Sequence, residues 1–177
     1  MSDGLANWQG SAKVIDFDTM AAQCAPFVAV TTLRAIANVE SSFNPFAIGI
    51  VRGALKRQPR NLLEAISTVK QLQSLNIKFS AGVAQIYVKN WPAYQLDHET
   101  VFDPCANMRA AQGILSVCYQ RGSLNASSKQ VALRKAISCY YSNNFVTGFR
   151  EGYVQKVVAA AKLFRAPAPK IPAITGN

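Results

Sequence analysis

The sequence predicts a mainly helical α+β single domain with one small β-hairpin element, and three observations carry that reading. Apolar residues recur at helical spacing in successive segments, most of which open on a residue able to cap a helix. β-Branched residues and paired glycines come together only over residues 47–58, which predicts the hairpin there. With 177 residues and 50% hydrophobic content, the chain can bury a real core within one domain.

Residues 1–17 read as a flexible N-terminal segment, 18–164 as the folded domain and 165–177, "RAPAPKIPAITGN", as a Pro-rich disordered tail. Within the domain, Asp18 or Thr19 caps a short helix ending at Cys24, and Thr31 caps a second that carries Leu33, Ile36 and Ala37 on one stripe. "FNPF" stops that helix, because the residue before Pro45 is pushed out of the α region. After the hairpin, with Gly49 and Gly53, Asn61 caps a helix whose buried face is Leu62, Ala65, Ile66, Val69 and Leu72. A loop-rich middle, "FSAGVAQIYVKNWPAYQLDHET", follows. Asp103 and Pro104 then serve as N-cap and N1 of a helix through Met108, Ala111, Ile114 and Cys118 to a stop at Gly122. Ser127 or Ser128 starts the next, and a last helix covers residues 147–164. No internal repeat is visible.

A formal charge of +10 and a pI near 9.7 favour an anionic partner. The densest basic patch, Arg52, Lys56, Arg57 and Arg60, lacks the interleaved aromatics of a single-strand binder, so no nucleic-acid partner is expected. Apolar runs such as "APFVAV" fall short of the roughly 18 residues that cross a bilayer, so no membrane span is expected. The first residues show no basic stretch followed by an apolar one, so no secretory signal is visible, and either unconventional export or a mature or engineered form is expected. Cys24, Cys105, Cys118 and Cys139 form no C-x-x-C pair and have one histidine, His98, for company, which argues against zinc. Their even number suggests two disulfides and an oxidising compartment; four buried thiols are the alternative.

The nine acidic residues sort by position. Asp3, Asp16 and Asp18 belong to or border the N-terminal segment, Glu64 completes a capping box with Asn61, and Asp103 is a cap. Asp97 and Glu99 lie in a polar loop, and Glu151 takes a solvated helix position. Glu40 alone continues an apolar stripe, seven residues after Leu33. Burial and the negative end of a helix both raise a carboxyl's pKa, and a carboxyl protonated near neutrality can act as a general acid. A Glu paired with an arginine at the rim of the core is the other reading. His98, in its polar loop, is no catalytic base, and "AGVAQ" is no phosphate loop. Gln85, Tyr87, Trp91 and Tyr94, with Gly82 allowing close backbone approach, would suit a polar, extended ligand such as a sugar chain.

Together these residues resemble the lysozyme-like soluble lytic transglycosylases, in the branch found with type IV secretion and conjugation machinery. The resemblance covers about residues 20–161. It rests on "ESSFNPFAIG" for Glu-Ser followed by Asn-Pro, "SAGVAQI" and "NW" for Gly-Leu-Met-Gln-Ile with a downstream Asn-Trp, "DPCANMRAAQGIL" for the following helix, and "AISCYYSNN" for Ala-x-x-x-Tyr-Asn-x-Gly. It implies a lysozyme-like fold, Glu40 as catalytic acid, and Tyr141 as the aromatic whose hydroxyl lies near that carboxyl. Ser41, Ser80, Gly82, Gln85, Tyr87 and Asn90 are the implied substrate-binding set, with no metal and no cofactor. Val83, Ala84, Tyr87, Ser142 and Gly49 depart from the family pattern; Gly49 stands where serine is common.

The implied substrate is the peptidoglycan strand, cut between N-acetylmuramic acid and N-acetylglucosamine by a monomer in the periplasm. The implied purpose is to open the wall for a secretion or conjugation channel, whose proteins would be partners. A non-catalytic wall-binding assembly factor and a lysozyme-type hydrolase are the rival expectations. For the disulfides, thirteen helical steps put Cys105 and Cys118 about 20 Å apart, which excludes that pair. Cys139, two residues before Tyr141, is placed at the active-site end and Cys24 at the far end of the Glu40 helix. The expected pairs are therefore Cys105–Cys139 and Cys24–Cys118.

Overall fold

The computed structural model describes residues 16–164; the tail 165–177 and nearly all of the N-terminal segment expected to be flexible lie outside the described residues. Helix α1, Phe17–Cys24, is capped by Asp16, whose Oδ1 accepts from the backbone N–H of Asp18 and Thr19, both at 3.1 Å. The cap is thus neither Asp18 nor Thr19, and Asp18 instead pairs with Arg34. Helix α2, Val30–Ser41, begins after Ala29 without any side-chain cap, so Thr31 sits inside its first turn. It ends where Ser42 and Phe43 turn left-handed, at φ 51° and 66°.

The local hairpin over 47–58 does not form. Strand β1, Ile48–Ile50, pairs antiparallel with β2, Phe79–Ala81, which pairs antiparallel with β3, Ile86–Tyr87. Gln58 explains why no nearer strand pairs with β1. Its Oε1 accepts from the Ile48 N–H at 2.8 Å and its Nε2 donates to the Ile48 carbonyl at 3.0 Å, occupying the groups a hairpin partner would need. Helix α3, Leu62–Ser74, capped by Asn61, fills the connection from β1 to β2. Ile48, Phe79, Ala81 and Ile86 are buried, while Gly49, Ser80 and Tyr87 share the opposite face of the sheet.

Helix α4, Pro104–Ser123, starts on the Asp103 cap, whose Oδ1 accepts from the Ala106 N–H at 2.7 Å. It runs through Gly122 rather than stopping there. A Cβ on Gly122 would come within 3.2 Å of the Lys135 Cβ, so the glycine serves close helix packing. Helix α5, Lys129–Ser142, is capped by Ser128. The single last helix expected over 147–164 is two, α6, Thr147–Arg150, and α7, Tyr153–Leu163, divided by Gly152 at φ 76°.

Two apolar clusters meet along α2. Leu33 and Ala37 belong to the one beneath the sheet with Val69, Phe79, Ile86 and Met108. Ala35 and Ile36 belong to the one with Leu115, Ile137, Val154 and Val157. The last turn of α2 therefore emerges between sheet and helices. Among the described residues, no helix is long and apolar enough to cross a membrane.

The cysteines pair as Cys24–Cys105 and Cys118–Cys139, with Cα separations of 5.3 and 5.7 Å, contrary to both expected pairs. The reason is the register of the α4–α5 hairpin. Gly122 packs on Ala132 and Lys135, which carries Cys118 opposite Cys139. Cys105 lies thirteen residues back, at the start of α4, where α1 ends.

Candidate active site

Glu40 occupies the last turn of α2, half-buried at the base of a cleft of about 990 Å³. Burial pushes its pKa up to about 7, against the opposing effect of a hydrogen bond from Tyr153. That bond runs from the Tyr153 hydroxyl to Glu40 Oε1 at 2.5 Å and joins residues 113 apart in sequence. Burial and the neighbouring Glu40 charge hold the Tyr153 phenol far above its ordinary pKa, so it is a fixed donor.

The aromatic hydroxyl expected on Glu40 was that of Tyr141. Tyr141 instead donates to Glu151 Oε2 at 2.9 Å, while its ring stacks on Tyr153 with centroids 4.5 Å apart. Tyr141 lines the cleft, but the contact to Glu40 is made by Tyr153 at the start of α7. The Ala-x-x-x-Tyr spacing counted from Ala136 falls on Tyr140, not Tyr141. Tyr140 is held far above its ordinary pKa by burial and by Glu40, and donates to the Ala84 carbonyl at 2.6 Å.

The β2–β3 turn is pinned to Glu40's helix. Ser41 Oγ donates to the Val83 carbonyl at 2.7 Å, so this residue braces backbone. Gly82 sits at φ 85°, and Gln85 at φ 51° donates through Nε2 to the Ala47 and Gly82 carbonyls, both at 2.9 Å. Only Oε1 of Gln85 is left to face the cleft. A Cβ on Gly49 would stand 2.7 Å from that oxygen, which accounts for glycine where serine is common.

Behind the turn lies Asn107, fully buried and missed in the sequence reading. Its Oδ1 accepts from the Ala84 N–H at 2.8 Å, and its Nδ2 donates to the carbonyls of Ala81 at 3.1 Å and Val101 at 2.8 Å. A Cβ on Gly82 would come within 2.1 Å of that Nδ2, so Gly82 yields space to Asn107 rather than to a ligand. Its signal was legible: like Glu40, Asn107 is a polar residue on a buried stripe, four before Ala111.

Ser80, Tyr87, Asn90 and Tyr94 line the cleft with Gln85, whereas Trp91 is buried and donates its indole N–H to the Ile86 carbonyl at 3.0 Å. Among the described residues, Glu40 is the one carboxylate lining the cleft, against Arg52, Lys78, Lys89 and Arg121. Asp97 is spent on its own turn, its pKa lowered by the bonds it accepts from the Thr100 N–H, the Thr100 hydroxyl and the Glu99 N–H. His98 meets Gln73 outside the cleft.

Residues 19–142 match the transglycosylase SLT domain. Type IV secretion system protein virB1 of Brucella suis biovar 1 (strain 1330) is 44% identical over 167 residues, spanning 91% of this chain and 70% of that protein. Protein virB1 of Rhizobium radiobacter is 36% identical over 161 residues, spanning 91% and 66% of the two chains. Protein virB1 of Agrobacterium fabrum (strain C58 / ATCC 33970) is 34% identical over 152 residues, spanning 86% and 62%. No solved structure matches the chain. A helical fold with a small antiparallel sheet, a half-buried glutamate ending its central helix and a match over most of the folded residues give one conclusion: the chain belongs to the transglycosylase SLT domain family.

Proposed function

We propose that this chain is a lytic transglycosylase that cuts the β-1,4 bond between N-acetylmuramic acid and N-acetylglucosamine and leaves 1,6-anhydromuramic ends. The observation that carries this reading is the solitary carboxylate. A retaining hydrolase sets a second carboxyl about 5 Å from the acid and an inverting one about 6.5 to 9.5 Å away. Glu40 has no such partner lining the cleft among the described residues. With a pKa near 7 it can both give and take a proton at neutral pH.

In the first step Glu40 protonates the glycosidic oxygen as the bond to C1 breaks, and the substrate's own acetamido group stabilises the developing cation. The ionised Glu40 then removes the proton from the muramic C6 hydroxyl, whose oxygen bonds to C1 and closes the ring. No water is consumed, and proximity within one sugar replaces a positioned water molecule. Tyr153 fixes the carboxyl's direction, and Ser80, Tyr87, Asn90 and the Gln85 oxygen offer polar contacts to the sugars.

The virB1 relatives and the disulfides support a setting in the periplasm, where local opening of the wall would serve assembly of a type IV secretion channel. Zymography on cell-wall material tests the reaction. The wild type clears a band, and Glu40→Gln, with unchanged circular dichroism, loses at least about a hundredfold in rate. A wild-type protein that binds wall material without clearing it would be an assembly factor instead.

A further inference from the structure

We infer that the end of the cleft remote from Glu40 is a carboxylate-binding subsite, built by Arg52, Lys78 and Lys89, that takes the peptide stems of the glycan strand. The inference rests on the proposed wall substrate and adds which part of it these residues recognise.

The placement follows from topology. In the antiparallel order β1-β2-β3, the residue after β1, the residue before β2 and the residue after β3 all lie at one end of the sheet. Arg52, Lys78 and Lys89 are those flanking residues within two positions, and all three line the cleft. The Val51 N–H donates to the Lys78 carbonyl at 2.9 Å, so the ladder continues into the group. The opposite end of the sheet is the β2–β3 turn, which Ser41 ties to the Glu40 helix and Tyr140 to α5. Three residues of strand separate the two ends, about 10 Å. That is the reach of a neighbouring disaccharide, whose muramic unit carries the next stem.

The chemistry fits an anion. The three side chains are exposed, and none has a carboxylate or hydrogen-bond partner among the described residues. Like charges gathered in a concave site repel one another and focus a positive potential, which an anionic ligand relieves. Arg121, on the helical wall, is differently placed: it donates to Asn143 Oδ1 at 3.1 Å and lies over the Phe145 ring. Stem peptides present several free carboxylates beside their amine. A strand stripped of stems keeps only the lactyl carboxylate on each muramic ring, so the two differ in how far their charge reaches from the sugar.

The test measures binding of soluble glycan strands, stem-bearing or amidase-stripped, by calorimetry to full-length protein carrying Glu40→Gln so that nothing is cut. The parent should prefer stem-bearing strands, and R52A/K78A/K89A should lose that preference by about tenfold while binding stripped strands within twofold of the parent. A control of equal charge loss, K70A/R134A/K156A, all exposed and remote from the cleft, should keep it. Equal binding of both glycans by the parent, a preference that survives in the cleft variant, or its loss in the control would overturn the subsite. A protein that prefers stems through these cations but never cleaves would refute the proposed reaction and leave the subsite standing.

Discussion

Glu40 stands out in the sequence because a charge continues an apolar stripe, and the structure gives that placement a measurable consequence. Its folded pKa of about 7 exceeds the ordinary 4.5, so the folded state binds protons more tightly than the unfolded one. The contribution of Glu40 to stability is therefore most favourable below about pH 4.5 and falls until about pH 7, a penalty on the order of 3 kcal/mol from this group alone. Glu40→Gln removes the titrating group, so its melting temperature should exceed the wild type's at pH 8 and the gap should close at pH 4.5. Equal gaps at both values would mean that Glu40 titrates normally. The hydrogen bond from Tyr153 lowers the Glu40 pKa, so Tyr153→Phe should shift the falling limb of kcat/KM to higher pH as well as slow cleavage. Tyr141→Phe, whose hydroxyl serves Glu151, should leave that limb in place. Tyr153 was illegible because its link to Glu40 spans 113 residues and α7 reads locally as one more amphipathic helix.

At the level of elements, the caps of α3, α4 and α5 were legible in adjacent residues, since Asn61, Asp103 and Ser128 each accept the backbone hydrogen bond expected of them, whereas those of α1 and α2 were misplaced. What local pattern could not reveal was pairing. β1 carries the composition of a hairpin strand, yet Gln58 occupies the backbone groups of Ile48 and the partner comes from beyond α3. The disulfides were misassigned for a related reason, since register between α4 and α5 decides them and neither helix displays it alone. Asn107 is where this layer can be tested. Asn107→Ala would strip partners from the Ala84 N–H and the Ala81 and Val101 carbonyls, all buried, and should cost at least about 3 kcal/mol in denaturant unfolding. Glycan cleavage should fall as well, because the turn carrying Gln85 loses its support. A loss below about 1 kcal/mol would contradict this role for Asn107.

For the whole molecule, the two disulfides close very different loops. Cys24–Cys105 spans 81 residues and binds the first helix to α4, whereas Cys118–Cys139 spans 21 and staples one helical hairpin. Chain entropy assigns about 4.5 kcal/mol to the longer loop and about 3 to the shorter. Replacing Cys24 and Cys105 by alanine should therefore lower the melting temperature more than replacing Cys118 and Cys139; the reverse order would place the weight in the helical hairpin. Among the described residues, the assembled molecule brings one carboxylate, held by α2 and addressed by α7, into a cleft whose other charged lining residues are all cations. The reaction proposed on the strength of that solitude consumes no water, and mass spectrometry of purified peptidoglycan digested by the wild-type protein tests it directly. The fragments should end in anhydromuramic acid, one water lighter than reducing ends, and a digest consisting mainly of reducing ends would contradict the account and assign the cleft to hydrolysis.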